Sequence, residues 1–189
     1  MVFENRYMIF DIETTGLDPL FSRITCICGR FSDSRETIEL AGDDEKEILL
    51  SFIKTLQLND KLSLRLISAN GKGFDIPFII TRCYLNEIPY SEVSFLLKKN
   101  HFDIINDITD KRISLNNLAR LFSLNLKTGN GFHAIQLFKD GKFLELREYC
   151  MNDVDLTENI YLQFLKIKEE VWKKKYDDLR GGKNEQKSF

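Results

Sequence analysis

The chain has 189 residues, 43% of them hydrophobic and 30% charged, with a formal net charge of −2 at pH 7. That length supports one domain with a substantial core. No apolar run is long enough to span a membrane, and the opening "MVFENRYMIF" lacks the basic-then-apolar pattern of a signal peptide, so the expectation is a cytoplasmic protein. The near-neutral charge does not advertise a nucleic-acid binder, but it leaves room for an enzyme whose bound cations neutralise its acids.

Tyr7 to Glu13 reads as a first strand. Asp11 and Glu13 stand two positions apart in it, so they share one face. A buried strand should carry neither, because an unpaired buried charge costs several kcal/mol or neutralises through its pKa. Either the two acids reach solvent where the strand runs out into Thr14-Thr15-Gly16, or something positive sits on them. Arg23 to Phe31 and Glu36 to Leu40 are β-rich runs joined by the turn chemistry of Ser32 to Arg35, which suggests an antiparallel meander. Cys26 and Cys28 fall on one strand face. With Cys83 and Cys150 they make four cysteines without a CxxC pair, which reads as structural thiols rather than a zinc site.

Asp43 or Asp44 can cap a helix whose stripe is Ile48, Leu49, Phe52, Ile53 and Leu56. Leu62 to Asn70 reads as a fourth strand, followed through Gly71 and Gly73 by a helix over "FDIPFIITRCYLNE", where Pro77 is tolerable only near the start. "HFDIIND" at His101 is a short fifth strand, and Ser114 to Phe122 a capped helix. A loop, "NLKTGNG", precedes the helical piece "FHAIQLF". A long helix runs from about Phe143 to about Lys175, and the segment "KIKEEVWKKKYDD" on it reads as a solvated face. The order is β-β-β-α-β-α-β-α-α-α, an α/β pattern with an antiparallel beginning. Residues 1–175 form the expected domain and 176–189 a polar tail.

Two further acids stand out. Asp75 lies where the chain turns from strand four into a helix. Asp153 lies on the last helix, four residues after Tyr149 and so on the same face. Clustered carboxylates with no histidine or cysteine beside them suit Mg2+ or Mn2+, which prefer oxygen ligands. Two such ions about 4 Å apart serve phosphoryl transfer. The neighbour Asp155 faces elsewhere on the helix. His101 and His133 read as structural or surface residues, and Asp103 and Asp107 are not required. "NGKG" lacks the Gly-Lys-Ser/Thr ending of a P-loop.

The segments "DIETTG", "NGKGFDIPF" and "YCMNDVDLT" resemble, in order, the three motifs of the DEDD superfamily of 3′–5′ exonucleases, in the tyrosine subtype. From "HFDIINDI" to "YCMNDVDLTENIYLQF" the chain is similar to exonucleases related to the proofreading domain of family-B DNA polymerases. The resemblance covers Tyr7 to about Lys166. It implies a ribonuclease-H-like fold with a mixed five-stranded sheet flanked by helices. It implies two divalent ions, with Asp11 bridging both, Glu13 and Asp153 on the nucleophile side and Asp75 on the leaving-group side. Tyr149 would orient the attacking water. Leu17 and Phe74 match positions that stack or wedge against the terminal bases, Asn70 one that contacts substrate near the scissile phosphate, and Thr14 is a further substrate-binding position. The implied substrate is single-stranded DNA. An exoribonuclease and a non-catalytic nucleic-acid-binding module of the same fold are the alternatives, since nothing in the chain visibly reads a 2′-hydroxyl.

Overall fold

The computed structural model describes residues 6–59, 64–109, 113–125 and 131–181. Leu62 and Ser63 of the expected fourth strand, most of the loop at 125–131 and residues 182–189 of the polar tail lie outside them. Three strands open the chain: β1 (Tyr7–Thr14), β2 (Ile24–Phe31) and β3 (Thr37–Ala41). Helix α1 (Glu45–Asn59), β4 (Arg65–Ser68), α2 (Asp75–Leu85) and the single-turn α3 (Tyr90–Val93) follow. After a 3-10 turn at Ser94–Lys98 come β5 (His101–Asp103), α4 (Ile104–Ile108), α5 (Leu115–Leu121), α6 (Gly131–Lys139) and α7 (Phe143–Gly181).

The sheet order is β3-β2-β1-β4-β5. The first three strands are antiparallel, whereas β4 runs parallel to β1 and β5 parallel to β4. Strand β1 is therefore central, and its two-residue alternation feeds two apolar layers. Met8, Phe10 and Ile12 point into the layer filled by Phe52 and Leu56 of α1 and Phe78 and Ile79 of α2. Ile9 shares the other layer with Cys26, Cys28 and the buried stripe Leu146, Cys150 and Val154 of α7.

The structure departs from the expected elements at particular places. The fifth strand stops at Asp103, because that side chain accepts hydrogen bonds from Ile105 and Asn106 and starts α4 there. The last helix runs on to Gly181. Its register on the sheet is pinned by Glu158, 4% exposed, which pairs with Arg30 of β2 and with Arg35. Asp155 does face away from Asp153, toward Arg30. Asp44 caps α1 through Glu47 N, at 3.0 Å. No helix among the described residues is long and apolar enough to cross a membrane.

Candidate active site

Asp11 and Glu13 leave β1 on the face that α7 covers. Opposite them in β2 stand Cys28 and Cys26, their direct partners in register. Helix α7 then brings Cys150 onto Asp11, with Sγ 3.5 Å from the Asp11 carbonyl oxygen and 3.8 Å from Oδ2. Ligand atoms of Asp11, Glu13 and Cys150 all lie within 4.8 Å of one another. The expectation that no cysteine borders the acids is corrected here. Its cause is register: Asp11-x-Glu13 and Cys26-x-Cys28 are the same i, i+2 spacing on neighbouring antiparallel strands, and Cys150 directly follows Tyr149. Pairing the two strands on paper would have exposed the juxtaposition.

Asp75 reaches the site from the other side of β1. The chain leaves β4 at Ser68, and Asn70 adopts a left-handed φ of 66°. Gly71 packs so tightly that a Cβ there would run into Ser68 Oγ, which is itself held 2.7 Å from His101 Nε2. Asp103, fully buried, fastens this loop by accepting from Asn70 N at 2.8 Å and Lys72 N at 3.1 Å. Sequence reasoning set Asp103 aside, yet it is the residue that orients the Asp75 turn. Its acid character was visible, but its role depends on β5 lying beside β4. His101 is structural, as expected, and burial pushes it down to about 4.

Asp75 opens α2 and is 3% exposed. Burial raises its carboxyl to about 7, the charges of Asp103 and Asp153 push the same way, and backbone hydrogen bonding at Asp75 and Ile12 opposes them. Asp153 is 5% exposed on α7, and Tyr149, one turn earlier, meets the exposed His133 of α6 edge-on at 5.5 Å. So Asp75 feels the charges of Asp103 and Asp153, which come from distant segments, while Asp11 and Glu13 come together with Cys150. Carboxylate oxygens on several elements, one of them on an acid raised chiefly by burial, are the donors that hard divalent cations such as Mg2+ or Mn2+ prefer.

Beside Asp75 opens a cleft of about 670 Å3, lined by Leu17, Asn70, Phe74, Ile105, Ile113 and Leu115 among others. Leu17 is 85% exposed at its edge, and Phe74 packs on Phe78 at 5.2 Å. Thr14 does not line the cleft; its hydroxyl donates to Gly16 O at 2.6 Å and shapes the turn that carries Leu17.

The family description of the RNase_H superfamily matches residues 8–165. The chain belongs to that superfamily. The five-stranded mixed sheet is the RNase_H arrangement, and the relation to DEDD-type exonucleases drawn from the three motifs agrees with it. Among solved structures, this RNase_H chain is similar to the family B DNA polymerase from the hyperthermophilic archaeon Pyrobaculum calidifontis, with a TM-score of 0.69 and 20% identity. The match covers 85% of this chain and 24% of the polymerase, so the chain spans about a quarter of that protein. No curated protein matches it.

Proposed function

We propose that this RNase_H-superfamily chain is a metal-dependent 3′–5′ exonuclease that hydrolyses phosphodiester bonds at the 3′ ends of single-stranded DNA. The observation that supports this reading is a pair of buried carboxylates, Asp75 and Asp153, 3% and 5% exposed, on the two helices that pack on opposite faces of the acid-bearing strand β1. A carboxyl so placed favours a bound cation over an empty site. Asp11, Glu13, Asp75 and Asp153 hold the ions. When bound, two Mg2+ or Mn2+ ions supply Lewis acidity and charge neutralisation for in-line phosphoryl transfer. Tyr149 orients the attacking water by a hydrogen bond rather than accepting its proton. Leu17 and Phe74 stack or wedge against the terminal bases, Asn70 contacts the strand near the scissile phosphate, and Thr14 supports the Leu17 turn.

The test is digestion of 3′- and 5′-labelled DNA and RNA oligonucleotides of one sequence in Mg2+, Mn2+ or EDTA. DNA should shorten from its 3′ end with either metal and stay intact in EDTA. Faster shortening of RNA would reassign the substrate to an exoribonuclease. Binding without cleavage in every metal would leave a nucleic-acid-binding module.

A further inference from the structure

Three of the four cysteines meet behind the acids. Cys26 and Cys28 share a face of β2, with sulfurs 3.5 Å apart. Cys150 descends on them from α7, and all three Sγ atoms lie within 4.8 Å of one another. Each residue is fully buried. We propose that Cys26, Cys28 and Cys150 form a thiolate site for one thiophilic cation of the Zn2+ or Cd2+ class, directly behind Asp11.

The geometry is close to that of a bound ion. Metal–sulfur bonds of about 2.3 Å in a tetrahedron place sulfurs roughly 3.8 Å apart. Cys26 and Cys28 already stand 3.5 Å apart and Cys150 lies within 4.8 Å of both, so small movements of the sulfurs reach that value. Asp11 Oδ2, at 3.8 Å from Cys150 Sγ, offers an oxygen toward a fourth position. Cys28 Sγ also lies 3.6 Å from the Arg147 carbonyl, which helps fix the thiol layer. On binding, each ligating thiol releases its proton to solvent and no electrons move. A coordinating cation deprotonates a thiol outright, which compensates the burial of charge.

The donor chemistry separates this site from its neighbour. Mg2+ avoids thiolates, whereas Zn2+ and Cd2+ select them. Yet Cys150 belongs to both groups, since its sulfur also lies within 4.8 Å of ligand atoms on Asp11 and Glu13. That shared residue gives a soft cation a route inward from the acids, and it makes occupancy of the thiol site compete for Asp11. Cation binding is independent of the proposed nuclease activity; inhibition by that cation rests on it.

The experiment uses the full, reduced, metal-free chain titrated with Cd2+ and followed by thiolate-to-metal charge-transfer absorption. The expected result is saturation at one equivalent, with no displacement by excess Mg2+. Each of Cys26→Ala, Cys28→Ala and Cys150→Ala should weaken binding on the order of a hundredfold, the upper end of what losing even a ligand's hydrogen-bond partner costs. Cys83→Ala, on the other face of the sheet, should bind as the parent does. No charge-transfer band, a band that survives the triple substitution, or displacement by Mg2+ overturns the proposal. Should a substitution unfold the chain, cadmium NMR of the parent decides: a shift typical of three sulfur ligands supports the site, and an all-oxygen shift overturns it. Cd2+ binding without loss of cleavage in Mg2+ would uphold the site and remove only its competition for Asp11.

Discussion

Asp75 is a buried acid, and its titration has a sign that can be checked. A carboxyl raised from 3.8 to about 7 holds its proton more tightly when folded. Its favourable contribution is therefore complete below the unfolded value and is lost as pH rises through about 7. In metal-free protein, Asp75→Asn should gain stability relative to the parent as pH climbs from about 4 to about 7, because only the parent must ionise a buried group. Denaturant melts of both proteins across that range would show the gap widening; a constant gap would refute the assignment. Asp11→Asn should reduce cleavage to background without unfolding the chain, measured by digestion and circular dichroism. Tyr149→Phe should cost less, roughly 10²–10⁴-fold, as expected for a positioning hydrogen bond rather than a metal ligand. Its pH–rate profile is the check, since an unchanged rate at every pH would reduce Tyr149 to packing against His133.

At the scale of elements, one carboxylate locks the first turn of α1 to the C-terminal end of α2. Glu45 accepts from Arg82 Nε at 2.8 Å and Nη2 at 2.6 Å, from Asn86 at 2.9 Å, and from the Ile24 amide at 2.6 Å. Burial alone would raise its pKa; those hydrogen bonds outweigh burial and hold it below its ordinary value. Glu45→Gln strands the mostly buried Arg82 guanidinium and should cost about 3 kcal/mol at pH 7. Because the depressed carboxyl stabilises the fold only while ionised, that cost should shrink as pH falls below about 4.5. Urea melts at several pH values measure it. Glu45 also marks a limit of sequence reading. The stripe Ile48, Leu49, Phe52, Ile53 and Leu56 was legible, since periodicity is local, and all five are buried. Yet Glu45, in the first turn of that helix, is 6% exposed, because its partner Arg82 comes from 37 residues away. The same holds for α4: "HFDIIND" reads as strand until Asp103 is seen capping a helix. Asp11 and Glu13 stood out because they violate local rules of burial and patterning, and Asp75 through its place in the motif "NGKGFDIPF". Cys150 broke none, and only the register of β2 beneath α7 brought it to Asp11.

For the molecule as a whole, the acids oppose the fold that assembles them. A divalent ion bound only by the folded chain stabilises it by about 2.7 kcal/mol at a hundredfold excess over Kd. Mn2+ or Mg2+ should therefore raise the melting temperature of the parent. Asp11→Asn, with one repulsive charge removed, should melt higher than the parent in EDTA yet gain less from added metal. Thermal melts at fixed ionic strength test this, and equal metal responses would dissolve the shared site into separate surface acids. The architecture behind that site was largely readable: three motifs in order, a meander, then parallel additions. The order of strands was not, because it is set by how β4 and β5 add to the free side of β1.

Helix α7 closes the site from the far end of the chain, 139 residues after Asp11 at its contact through Cys150. During synthesis at about 5–20 residues per second, roughly 7–28 s separate the appearance of Asp11 and Cys150. Until then β1 and β2 exist with one face bare, exposing Ile9, Cys26 and Cys28 to whatever holds nascent chains. The acids on β1 lack their partners from α7 for the same interval. On the proposed function, the nascent chain would thus stay inert on the ribosome until α7 has cleared the exit tunnel and folded down.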